Sequence, residues 1–159
     1  MKQIPLSGKN GKGKFALVDD EDYEELMRHK WYLSTNGYAK RGKVIDGIYV
    51  EIRMHRVLTM CDKHLFVDHI NHEPLDNRKS NLRKCTPGQN KMNCRSAFGS
   101  TSKFKGVSLK KGGSKFQSTI RYNKKSIYLG YFDTELEAAQ AYNAKAKELF
   151  GEFAHINKI

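Results

Sequence analysis

The sequence lacks any hydrophobic run approaching the ~20 residues that a membrane-spanning helix requires, and its mean hydropathy is −0.71. The opening stretch, Met1 to Lys14, is basic but has none of the apolar core of a secretory signal, so export by that route is not expected. Cysteine is scarce. Cys61, Cys85 and Cys94 are an odd set with no Cys-x-x-Cys pair, which argues against a disulfide framework and for a reducing compartment. Together with His64 they have no regular metal-ligand spacing, so ordinary thiols are expected rather than a zinc site. Aromatic residues, at 11% of 159, are too many for a disordered tail. The length suits one domain or two small ones.

The most telling shortage is of acid. Lys and Arg total 29 against 17 Asp and Glu, a formal net charge of +12. Asn77 to Arg95 holds Arg78, Lys79, Arg83, Lys84, Lys91 and Arg95 without one carboxylate. Lys103 to Phe132 holds Lys103, Lys105, Lys110, Lys111, Lys115, Arg121, Lys124 and Lys125, again without one. Asp133 to Ile159 then turns acidic. A merely solvated surface mixes its signs, whereas two acid-free blocks beside acidic segments suit binding to phosphates. The small, polar stretch 96–102 between the blocks reads as a linker.

Beyond it, Lys115 to Tyr122 alternates. Phe116, Ser118, Ile120 and Tyr122 fall on one face; Lys115, Gln117, Thr119 and Arg121 fall on the other. Ser126 to Phe132 reads as a second strand, with Ile127 and Leu129 inward and Tyr128 outward. Gly106 to Lys110 reads as a third, shorter one. Thr134 followed by Glu137 makes a capping box. Leu136, Ala139, Tyr142, Ala146, Leu149 and Phe150 form an apolar helical stripe, and Gly151 stands where a C-terminal cap belongs. A helix on one face of a sheet leaves the other, basic face for a ligand. That face is poor in aromatic rings, which suits groove reading better than stacking on single strands.

Phe104-Lys-Gly-Val-Ser108, Tyr128-Leu-Gly-Tyr-Phe-Asp-Thr134, Glu137-Ala-Ala-Gln-Ala-Tyr142 and Gly151-Glu-Phe-Ala154 resemble the Apetala-type (ethylene-response-factor) DNA-binding domain. The resemblance implies a three-stranded sheet laid in the major groove. Lys105, Lys110, Lys115, Thr119, Arg121 and Tyr128 stand at its contact positions. Ser108 and other residues replace the family's usual Arg and Trp, so no target sequence is implied.

In the first hundred residues, Phe15 to Val18, Trp31 to Leu33 and Ile45 to Ile52 read as strands. Asp20 to His29 reads as an acidic helix, and His55 to Met60 as another. A short strand, Leu65 to Val67, then ends in Asp68-His69. A turn-rich loop leads to a second strand at Leu82 to Cys85. Thr86 caps a following helix, with Pro87 at its first position.

Asn81 follows His69 by twelve residues and Asn90 follows Asn81 by nine. This set resembles the HNH nuclease motif of the ββα-metal fold. Phe15 to Tyr23, Lys30-Trp-Tyr32 and Met54-His-Arg56 resemble the leader of phage-type HNH endonucleases. The resemblance implies phosphodiester hydrolysis. Asp68 and Asn90 would ligate Mg²⁺ or another divalent ion such as Mn²⁺, and His69 would act as general base. Asn81 would bridge loop backbone groups and hold His69, and Arg83, or another base of its block, would steady a phosphate. His72-Glu73 replaces the small or polar turn usual in the family, and no role is expected for His72.

The expected fold class is α+β: a ββα-metal HNH nuclease module with an N-terminal β-rich scaffold over 1–95, a linker over 96–102, and a three-stranded antiparallel sheet packed on one helix over 103–159. The expected function is a metal-dependent, homing-type DNA endonuclease that nicks one strand per active site. It would work on double-stranded DNA in the host cytoplasm, as a monomer or dimer and without a membrane. The alternative is a DNA-binding regulator with an inactive nuclease module.

Overall fold

The computed structural model describes residues 1–96 and 99–159; Ala97 and Phe98 of the expected linker lie outside the described residues. The fold is mixed α+β. Two compact units divide at Met1–Pro87 and Gly88–Ile159, ahead of the expected linker.

The first unit is built on strands β1 (Lys2–Ser7), β2 (Phe15–Val18), β3 (Trp31–Leu33), β4 (Ala39–Ile45) and β5 (Ile48–Arg53), in sheet order β2-β1-β3-β4-β5. β1 and β3 run parallel; the other pairs are antiparallel. Helix α1 (Tyr23–Met27) follows an acidic 3-10 turn, and helix α2 (Met54–Thr59) follows β5 directly. Ile4, Leu6, Ala16, Val18, Leu26, Trp31, Ala39 and Met54 form the core. The Trp31 Nε1–H donates to the Leu26 carbonyl at 2.8 Å, which satisfies the one polar atom of that buried ring.

The expected single strand from Ile45 to Ile52 is instead the far half of a hairpin. Asp46 and Gly47, at φ 50° and 76°, make its tight turn, and Ile45 pairs with Ile48 across it. Two successive positive φ values match the right-handed twist of the flanking strands.

Strands β6 (Phe66–His69) and β7 (Leu82–Cys85) pair antiparallel as a separate two-stranded sheet, against which α2 packs. The Arg56 guanidinium on α2 donates to the carbonyls of Cys61, Asp62 and Leu65, which ties the helix to the segment entering β6.

The second unit holds helix α3 (Pro87–Asn93) from its second residue on, strands β8 (Val107–Leu109), β9 (Phe116–Tyr122) and β10 (Lys125–Phe132), and helix α4 (Glu135–Phe150). The strands form an antiparallel sheet in the order β10-β9-β8, with α4 on one face. Phe104, Val107, Ala138 and Ala139 fill one end of the core; Ile120, Tyr142, Ala146 and Phe150 fill the other. Thr134 and Glu137 form the reciprocal capping box. Leu136 is exposed, and Ala138 takes the core place expected for it, because the buried line runs through 138, 139, 142, 146 and 150.

Gly106 has φ 78°, and a Cβ there would lie 2.1 Å from the Tyr142 ring, so only glycine fits. Asn157 closes this unit. Its backbone N–H and carbonyl pair with the Asn143 amide, and its own amide pairs with both backbone groups of Lys105. No helix among the described residues is long and apolar enough to cross a membrane.

Candidate active site

The β6–β7 ladder sets Asp68 opposite Arg83 and His69 opposite Leu82. Asp68 and His69 are both buried, each 6% exposed. Arg83 Nε and Nη2 donate to the same carboxylate oxygen of Asp68 at 2.9 and 2.7 Å. Arg83, one of the basic residues expected to steady a phosphate, lies against Asp68, because cross-strand neighbours on one face are within reach of each other's side chains.

The loop from Ile70 to Asn81 is strapped at its base. The Ile70 N–H donates to the Asn81 carbonyl at 3.0 Å. The Asn81 side chain accepts from the Asn71 N–H at 3.0 Å and donates to the Asp76 carbonyl at 2.8 Å. One amide, with a donor and an acceptor end, thus closes the loop on itself. Asp76 accepts from Arg78 Nε and Nη2 and from the Asn71 amide. The Arg78 guanidinium holds the Asp76 carboxyl below its ordinary range, against the opposing effect of burial. His72 takes φ 64° in the tight turn where its N–H reaches back to the His69 carbonyl.

The other side of the loop is carried by β2. The Leu17 N–H donates to the Leu75 carbonyl and its carbonyl accepts from the Asn77 N–H, both at 2.8 Å. Asp19 accepts from the Lys79 N–H at 2.7 Å.

Three rings meet at this end of the unit. His55 of α2 lies 5.2 Å from His69, centroid to centroid, with the planes at 87°. Tyr38 is 5.0 Å from His55 and 5.7 Å from His69, and the Arg53 guanidinium lies over its ring at 5.6 Å. Burial holds His69 below the ordinary imidazole range, opposed by Asn77, Asp68 and Asp76. Burial first, then the charges of His69, Arg53 and Arg56, push His55 down to about 3. Neither Tyr38 nor His55 was singled out from the sequence as part of a site; Met54-His-Arg56 stood out only as a patch of resemblance.

These groups can hold a neutral imidazole beside a carboxylate. The donors here suit a hard cation that keeps most of its waters, for which one or two carboxylates suffice. Among the described residues, no three Cys, His, Asp or Glu side chains converge as a closed cage needs. All three cysteines are free thiols. Asn90, the other expected ligand, stands on α3 in the second unit.

In the second unit the expected contact residues separate. Lys105 donates to the carbonyls of Met92 at 2.6 Å and Lys91 at 3.2 Å, at the C-terminal end of α3. Its half-buried ammonium is turned to those helix-end carbonyls and away from the sheet face; burial lowers its pKa to about 8. Lys115 pairs with Asp133 at 3.1 Å. Thr119 pairs with Tyr128 across the ladder, and Arg121 is exposed two residues further along β9.

A bulge between Tyr128 and Gly130 shifts the register of β10. Phe132 therefore turns into the core, while Tyr131 turns out beside Tyr128, their centroids 5.4 Å apart. Lys110 lies over the Tyr131 ring at 4.9 Å. The face read as poor in aromatics thus carries an exposed tyrosine pair. Gly130, inside an otherwise alternating strand, was the available signal.

Among curated proteins, the chain is similar to an uncharacterized HNH endonuclease of Acanthamoeba polyphaga mimivirus. The two are 36% identical over 155 residues, which span 94% of this chain and 78% of the relative. No family model matches the chain, and no solved structure matches it.

Proposed function

The chain belongs to the HNH endonuclease family, and on that premise we propose that it is a divalent-metal-dependent, homing-type endonuclease that cuts one strand of duplex DNA at each active site. The observation that carries this reading is the buried Asp68–His69 step at the end of β6, with its loop closed by Asn81.

Phosphodiester oxygens repel an incoming nucleophile, so hydrolysis needs both a base and a way to offset negative charge. His69, neutral because burial lowers its pKa, takes the proton of the attacking water. Asp68 would offer a carboxylate oxygen to a divalent ion, and Arg83 fixes the orientation of that carboxylate. Bound there, Mg²⁺ or Mn²⁺ would offset phosphate charge and the charge that develops on the leaving oxygen. Asn81 acts through the loop, holding its base closed so that His69 keeps its place.

The C-terminal sheet is proposed as an Apetala-type duplex-binding surface. Support comes from the motif resemblance and from a face that gathers Lys110, Thr119, Arg121 and Tyr128 opposite α4. An antiparallel sheet of this width can enter the major groove.

The test is conversion of supercoiled plasmid carrying random inserts, with Mg²⁺ or EDTA, by the full chain and by His69→Ala. Metal-dependent nicked product that is lost in the variant is the expected result. Equal product from both proteins would overturn the role of His69. Duplex binding without cutting, at any metal or insert, would favour a regulator with an inactive module.

A further inference from the structure

We propose that His55 is a positioning residue for His69, its imidazole fixing the plane in which the general base presents its ring.

The argument starts from a side chain that packing alone does not account for. His55 is 4% exposed, and its Nδ1 has no hydrogen-bond partner among the described residues. A buried polar atom left unpaired is a cost that a phenyl or isobutyl group in the same space would not carry. What a histidine adds is a small flat ring with polar edges, set perpendicular to another ring at contact distance. Edge-to-face packing of this kind holds both rings against rotation. Tyr38 touches both imidazoles, so His69 is bounded on two sides by rings from different elements.

The mounting of His55 is rigid. Its carbonyl accepts the Thr59 hydroxyl at 2.7 Å within α2. Arg56, the next residue, is bonded to three carbonyls of the segment that enters β6. The helix carrying His55 and the strand carrying His69 are therefore linked independently of the two rings. The backbone of His69 is set by its ladder partner Leu82; its ring also hydrogen-bonds to Asn77, and the packed rings limit rotation about that bond. A base must be held to within roughly 10–20° to work well. Because His55 stays uncharged, it does so without repelling the proton that His69 receives.

The consequence for catalysis rests on the nuclease reading; the ring geometry does not. The experiment therefore reads both, on the full chain. In the free protein, the ring proton and carbon signals of His69 are assigned by their loss in His69→Gln. Wild type should show one sharp set, with a cross-ring proton contact to His55. In His55→Leu and His55→Gln, which remove the ring, the His69 set should broaden or split while the backbone signals of the sheet stay in place. Plasmid-nicking kcat should fall roughly 10- to 100-fold with KM for DNA unchanged. A folded variant of either kind with unmoved His69 signals and unmoved kcat would overturn the proposal. So would a wild-type spectrum with no His55–His69 contact, a measurement that needs no variant to fold. Absence of cutting by wild type, with the ring contact present, would count against the nuclease reading alone.

Discussion

Arg83 faces Asp68 directly across the β6–β7 ladder and places two of its nitrogens on a single carboxylate oxygen. Their side chains are 12% and 8% exposed, so the pair is largely withdrawn from water. Breaking such a pair leaves a charge uncompensated. Arg83→Ala is expected to destabilise the first unit by about 3 kcal/mol. Trp31 is the chain's single tryptophan and sits in that unit's core, so its fluorescence during urea unfolding reads the effect. A loss well under 1 kcal/mol would mean that Asp68 finds its compensation elsewhere.

Asn81→Ala should cost about 2 kcal/mol or more by the same assay, since it strips partners from the Asn71 N–H and the Asp76 carbonyl. Nicking should fall with it even where the protein remains folded. Full activity in the folded variant would show that the loop needs no strap.

Acid should weaken the first unit through its two buried imidazoles. Burial pushes His55 to about 3 and also lowers His69, while unfolded histidine titrates near 6.5. Between those values the unfolded chain binds more protons. Stability is thus complete above about pH 6.5 and is lost as pH falls toward 3. At pH 5 the contribution of His55 should be down by about 2 kcal/mol, and His55→Phe should recover that part. An equal acid loss in both proteins would place the sensitivity in other groups.

Two basic residues that look alike in sequence, Lys105 and Arg121, should behave differently. Lys105→Met should loosen the second unit while leaving duplex affinity nearly intact, because its ammonium is spent on the end of α3. Arg121→Ala should leave stability alone and lower the salt dependence of duplex binding by about one counterion. Titration at several salt concentrations separates the two, and a reversed pattern would remove the sheet face from consideration.

Tyr131→Ala should weaken nucleic-acid binding by about 1 kcal/mol, through loss of its ring and of the Lys110 contact over it. Single-strand and duplex competitors distinguish stacking from groove contact. Unchanged affinity for both would make the tyrosine pair a surface ornament of the bulge.

Much of this architecture was legible wherever short-range chemistry decides it. The alternation of β9, the Thr134–Glu137 box and the cap at Gly151 follow from neighbours within a few residues, and all three are present. Asp68-His69 closing one strand and Leu82 opening its partner were legible for the same reason. The errors arose where one residue changes parity or pairing. Asp46-Gly47 reverses the chain inside what reads as a continuous apolar run, and Gly130 flips the outward set of β10. β1 went unread because its alternation is carried by only two apolar residues, Ile4 and Leu6, with a proline between them, and proline argues against a strand. Lys105 and His55 are set by partners more than ten residues away, which no local window contains.

Leu17 lends both of its backbone groups to the segment between Glu73 and Arg78, and Asp19 reaches Lys79 across 60 residues of chain. The cutting motif is therefore longer in space than in letters. A fragment trimmed to begin at β3 would keep Asp68, His69, Asn81 and Arg83 in sequence and lose the strand on which their loop is moored. Any fragment meant to keep the proposed site in shape has to start at the N-terminal sheet, and grafting the motif alone onto another scaffold would carry the reagents without the bench.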